Sequence, residues 1–145
     1  MMKKFSVVLD LGILALLSVV TFKVAWIGYQ GWLLDDFHYL KAAEAWATDA
    51  PYLGDTHWEL RYGFVLPLAL AFKLFGVHEY SMVGVTIAFH LMSLAVTYFA
   101  VSALWGRNYG LFAALVVVFV PMVAGWATTP RVAIAEYFYC VVAFW

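Results

Sequence analysis

Residues 80–105 read YSMVGVTIAFHLMSLAVTYFAVSALW and contain no Asp, Glu, Lys or Arg. A helix needs about 20 predominantly apolar residues to cross the roughly 30 Å hydrocarbon core of a bilayer. This stretch is long enough and apolar enough to do so. The rest of the chain has the same character. Of its 145 residues, 66% are hydrophobic and 12% charged, and the mean hydropathy is +0.90. Soluble domains run at about 45–50% apolar and about 25% charged. So small a body cannot bury that much apolar surface in water. Disorder is excluded as well, since it needs few apolar residues and much charge. A net charge of −1 offers no electrostatic footprint for nucleic acid. Cys140 is the sole cysteine, so no disulfide forms within one chain.

Working outward, the sequence predicts an all-α polytopic transmembrane helical bundle. Spans are expected at about 5–27, 80–105, 109–127 and 132–145, with an outer loop over 28–61. Lys3 and Lys4 precede the first span and put the N-terminus in the cytoplasm by the positive-inside rule. The first apolar stretch is longer than a signal-peptide core, so it reads as an uncleaved span. Lys23, Trp26, Tyr29 and Trp32 fall where interfacial anchors belong. Asp10 lies inside the span, where it either reaches headgroups or pairs within the bundle. Tyr62–Gly76 is apolar but short and carries Pro67 and Lys73. It is expected to be a re-entrant or interfacial helix rather than a span. Arg107 then falls on the cytoplasmic side. The chain stops inside apolar sequence at Trp145, as the N-terminal part of a longer membrane protein would. Residues 1–145 are therefore one part of a single multi-span membrane domain.

Most of the acids fall in the outer loop: Asp35, Asp36, Glu44, Asp49, Asp55 and Glu59. Asp35 to Trp46 reads as a short helix resting on the membrane surface. Tyr39, Leu40, Ala43, Trp46 and Ala47 make its apolar face, and Asp36, Lys41 and Glu44 lie away from it. Two readings of the Asp35-Asp36 pair are open. Aspartate is a preferred helix N-cap, and a second acid suits the helix dipole. Alternatively, one carboxylate acts as a general base or holds a divalent cation. His38 and His57 share this loop, but the spacing of a strong metal site is missing.

The stretch Leu34-Asp35-Asp36-Phe37-His38-Tyr39, followed by Ala42-Ala43, resembles the first outer loop of GT-C glycosyltransferases. These are polytopic enzymes that use polyprenyl-phosphate-linked sugars, among them protein O-mannosyltransferases and lipid A aminoarabinose transferases. His57-Trp58-Glu59-Leu60-Arg61-Tyr62-Gly63 leads into Pro67 and closes on Phe72-Lys73-Leu74-Phe75-Gly76. It is similar to that family's basic, proline-containing segment with a Leu-Phe-Gly ending. The resemblance implies an inverting sugar transfer on the non-cytoplasmic face, in a bacterial cytoplasmic membrane. The partners it implies are a polyprenyl-phosphate-linked sugar, a lipid, glycan or protein acceptor, and membrane lipids.

By the same resemblance Asp35 is the catalytic acid, with Asp36 beside it, and a second acid belongs near the start of the last helix. Ala133 occupies that place and Glu136 is the nearest acid. The leaving lipid phosphate needs a cation. Arg61 is the candidate, with His57, Tyr39 and Arg131 as further substrate-binding residues. Other readings stand beside these. Arg61 can be an interfacial anchor and Glu136 can pair with Arg131. No cofactor is certain; a divalent cation is conceivable, and no residue is assigned as a metal ligand. A transporter or lipid flippase would instead rely on Asp10, His90 and Glu136. A membrane assembly subunit would use Asp35-Asp36 only as a cap.

Overall fold

A computed structural model describes residues 4–27 and 36–145. Every regular element among the described residues is a helix: α1 Lys4–Val24, α2 Asp36–Thr48, α3 Tyr62–Phe75, α4 Glu79–Trp105, α5 Arg107–Phe119, α6 Pro121–Ala127 and α7 Val132–Ala143. Two of them, α1 from Ser6 onward and α4, are long and apolar enough to cross a membrane. The α5–α6 pair makes a third if it is one broken span.

α1 and α4 are antiparallel. Asp10 on α1 meets Tyr98 near the end of α4, while Phe22 on α1 packs edge-on against His90. The buried seam of α1 is Asp10, Leu14, Ser18 and Phe22. Their i, i+4 spacing keeps them on one side of the helix. The other side exposes Val8, Leu9, Ile13, Leu16, Val19 and Val20, a surface suited to lipid. α5 runs back beside α1, and Leu14, Leu94, Tyr98, Ala114 and Val118 close a first core between α1, α4 and α5. The C-terminal end of α1 and the N-terminal end of α4 therefore lie at one end of the molecule. That geometry fits a 62–76 segment that does not cross.

The 109–127 stretch departs from the expected single straight helix. It breaks at Val120 and bends by 70° between α5 and α6. Pro121 is the cause, since it has no N–H to give and its ring clashes with the carbonyl four residues back. The bend brings Thr128 to the end of α1. Its hydroxyl lies 3.1 Å from the Ile27 N–H and 3.1 Å from the Ala25 carbonyl. α7, expected at 132–145, ends at Ala143 and is shorter than a full span.

The second core holds α2, α3, α4 and α7 together through Tyr39, Leu40, Ala42, Ala43, Phe64, Val65, Leu68, Phe89, Ile134 and Ala135. Here α2 differs from expectation. Its buried face is Asp36, Tyr39, Leu40, Ala42 and Ala43, and it packs on α3. Asp36 was expected on the polar side and is instead 3% exposed. A helix turned by part of a turn buries a different stripe, and periodicity alone does not set that rotation.

Candidate functional site

Arg61 immediately precedes α3, and three other segments meet it there. Its guanidinium lies 4.7 Å from the ring centroid of Trp58 and 5.9 Å from that of Tyr39. Both distances are within range of cation–π attraction. Its Nη1 donates to Oε1 of Glu136 on α7 at 2.8 Å. The aromatic shelf is itself rigid. Tyr39 sits edge-on to both Trp58 and Phe64, and edge-to-face rings favour this arrangement. Beside the ion pair opens a cavity of about 300 Å³ lined by Arg61, Gly63, Phe64, Val132, Ala135, Glu136 and Tyr139.

Pro67 explains part of this architecture. Within α3 it cannot donate to the carbonyl of Gly63, the residue four back. The Tyr139 hydroxyl donates to that carbonyl instead, at 2.9 Å. The proline thus leaves an acceptor free on α3, and α7 docks on it. Gly63 also keeps the approach open, because a Cβ there would stand 3.0 Å from the Tyr139 ring.

Glu59 holds the loop that carries Trp58 and Arg61. Its side chain is 1% exposed. Its carboxylate accepts from the Tyr52 hydroxyl at 2.8 Å and from the Asp55 N–H at 2.9 Å. On the α2 side, Nδ1 of His38 lies 3.5 Å away and Nζ of Lys41 3.7 Å away. Burial pushes the Glu59 carboxyl up, but the hydrogen bonds from Tyr52, Asp55 and His38 and the Lys41 charge outweigh it. The net shift is downward. The same hydrogen bond, with some burial, pushes the Tyr52 phenol up to about 12. Gly54 permits the fold of this loop, since a Cβ there would collide with the Glu59 side chain.

Of the residues expected at a site, the structure brings Arg61, Tyr39 and Glu136 together. Asp36 lies one turn before Tyr39 on the same buried face of α2. Asp35 lies outside the described residues. His57 is exposed and stacks at 4.3 Å on Trp58, so it borders the shelf without joining the ion pair. Arg131 caps α7 only by its backbone position and makes no ion pair with a described residue. Glu136 pairs with Arg61, and the alternative pairing with Arg131 is not the one found. Arg131 precedes the first turn of α7, whereas Glu136 projects from the helix flank that faces α3. No group of three or more His, Cys, Asp or Glu side chains placed to hold a metal occurs among the described residues. His38 is drawn to Glu59 instead.

Sequence reasoning missed Glu59 and Tyr139. Glu59 looked like one loop acid among six. Tyr139 had a readable signal: a proline in a helix leaves an acceptor that some donor must satisfy.

Asp10 and Arg107 pair elsewhere. Nε and Nη2 of Arg107 donate to the two Asp10 oxygens at 2.7 and 2.6 Å, and the Tyr98 hydroxyl adds a third donor at 2.7 Å. Of the two sequence-based readings of Asp10, pairing within the bundle is the one observed. No protein-family model, curated protein or solved structure matches this chain.

Proposed function

We propose that this chain belongs to a polytopic membrane glycosyltransferase that takes a sugar from a polyprenyl-phosphate carrier on the non-cytoplasmic face. One observation carries the reading. Arg61, held against the Trp58 and Tyr39 rings, borders an open cavity of about 300 Å³. The length of α4 supports placing this cavity near the level of a lipid phosphate. Its 27 residues extend about 40 Å at 1.5 Å each, some 10 Å more than a bilayer core. If the far end, at Trp105, marks one boundary, the first two turns of α4 project beyond the other. That boundary falls near Thr86, whose hydroxyl reaches the Ala127 carbonyl at the end of α6. Lys23 and Trp26 on the α1 side, together with Phe89 beside the cavity, lie at a similar level.

In this reading Arg61 holds the carrier phosphate and stabilises the charge that grows as the sugar leaves. Trp58 and Tyr39 keep the guanidinium in place, and Phe64 and Tyr139 give the cavity aromatic walls. Asp35, by resemblance, activates the acceptor hydroxyl, with Asp36 supporting it. The transporter or flippase reading has less to rest on. Asp10 is engaged by Arg107 and Tyr98, His90 packs against Phe22, and neither lines the Arg61 cavity.

The test is binding and transfer with a polyprenyl-phosphate sugar. Arg61→Ala should weaken carrier binding about 10- to 100-fold, the worth of a charge-assisted hydrogen bond. Arg61→Lys should recover only part of it. Carrier binding unchanged in Arg61→Ala would remove the physical basis of the assignment.

A further inference from the structure

We propose that Glu136 competes with phosphate for Arg61, so that the carboxylate and an anionic phosphate ester exchange on one guanidinium. The inference rests on the phosphate-binding role of Arg61 and assigns Glu136 the part of a displaceable counter-ion.

The two arginine–carboxylate pairs of this protein differ in kind. Arg107 grips Asp10 through two nitrogens and both oxygens, and the carboxylate is 2% exposed. Arg61 touches Glu136 through one nitrogen and one oxygen, with side chains 33% and 57% exposed. The first is a built-in clamp. The second is a half-used fork at the mouth of a cavity, with donors left for a ligand. A phosphate can take two of those donors at once, which is the arrangement arginine favours.

The two partners are also held unequally. Arg61 rests on Trp58 and Tyr39, whereas Glu136 has Arg61 as its sole polar contact among the described residues. An exchange therefore moves the carboxylate and leaves the guanidinium where it is. α7 does not depend on the ion pair for its docking. Ile134 and Ala135 are buried, and Tyr139 donates to Gly63. The carboxylate can swing away while the helix stays. Exposed pairs of this sort contribute little to stability, so displacement costs little.

The prediction has an unusual sign: removing an ion-pair partner should improve binding. The experiment uses the whole chain in detergent micelles with three probes: a polyprenyl monophosphate, the matching uncharged polyprenol, and inorganic phosphate. Glu136→Gln should bind the polyprenyl monophosphate about two- to fivefold tighter than the unaltered protein, the factor an exposed pair is worth. Polyprenol binding should not change. Glu136→Ala serves as a second variant, and thermal melting without ligand checks that each is folded. Tightening seen with inorganic phosphate as well assigns the competition to the phosphate group alone. Tightening confined to the lipid assigns it to the headgroup of a membrane-borne ligand.

Equal or weaker polyprenyl monophosphate binding in both folded variants overturns the competition. Arg61→Ala separates this failure from a larger one. If that variant binds the monophosphate normally, the phosphate-binding role itself falls. If it binds weakly while the Glu136 variants fail to tighten, only the competition is lost.

Discussion

Arg61 and Glu59 are near neighbours in sequence with opposite surroundings. Arg61 faces an open cavity, while Glu59 is enclosed by donors from α2 and from its own loop. The enclosure makes Glu59 the residue whose charge the loop depends on. Its native carboxyl titrates below the ordinary value of 4.5. A depressed acid stabilises the fold above its unfolded value and loses that contribution as pH falls through the native one. The loop should therefore loosen on acidification below about pH 4.5, read as faster proteolysis between Pro51 and Arg61. Glu59→Gln should cost about 1–3 kcal/mol at neutral pH, because donors that met a carboxylate then meet an amide. It should also abolish the acid transition. An acid transition of unchanged size in that variant would show that another group governs the loop. Glu59 was visible in the sequence as an acid, but its burial was not. Hydrogen-bond partners from positions 38, 52 and 55 and the charge of Lys41 come to it, and only the folded loop gathers them.

Elements in this protein meet through small residues and through gaps in the backbone pattern. Pro67 frees the Gly63 carbonyl, and Tyr139 on α7 occupies it. At the α4–α5 contact, Gly110 faces Ser102 and the Tyr98 carbonyl. A Cβ there would stand 2.6 Å from that carbonyl and collide with the Ser102 hydroxyl. The neighbour on one side is backbone, so it cannot turn away. Gly110→Ala should force α5 off α4 and cost about 1–3 kcal/mol, as overpacking does. Thermal unfolding in micelles measures it, and a melting temperature equal to that of the unaltered chain would contradict the contact. Gly84, by contrast, has open space where a Cβ would go, so the same substitution there should be mild. The sequence marks both glycines alike, and the partner helix alone distinguishes them. Pro121 is legible in the other direction. A proline between two apolar runs implies a break, and the 70° bend is found there.

At the scale of the whole molecule, one end is tied by charge and the other by hydroxyls. Arg107 and Tyr98 hold Asp10 where α1 begins and α4 ends, while Thr128 and Thr86 bind backbone carbonyls at the opposite end. Asp10→Asn should destabilise the helix bundle by about 1–3 kcal/mol, because the buried carboxylate that accepts from Arg107 and Tyr98 is replaced by an amide. Replacing Asp10 and Arg107 together by leucine should cost less than the single change. Comparing the melting temperatures decides it, and a double variant less stable than Asp10→Asn would show that the pair is net stabilising. The clamp also sets the path of the chain. With α1 and α4 antiparallel, everything between them leaves and returns at one end, so α2, α3 and the Arg61 cavity share that end.

Composition and periodicity by themselves determined that this chain is helical and lipid-suited, that most of its acids are gathered in one loop, and that the apolar run over 62–76 is shorter than those of α1 and α4. Those properties depend on the count and spacing of apolar residues, and they survive whatever the helices do next. Tertiary structure alone decided which charges meet. Arg61 finds Glu136, Asp10 finds Arg107, and Asp36 turns inward, because each outcome depends on how far a helix is rotated and which neighbour it faces. Periodicity marks a stripe on a helix but not the partner opposite, and a salt bridge needs both.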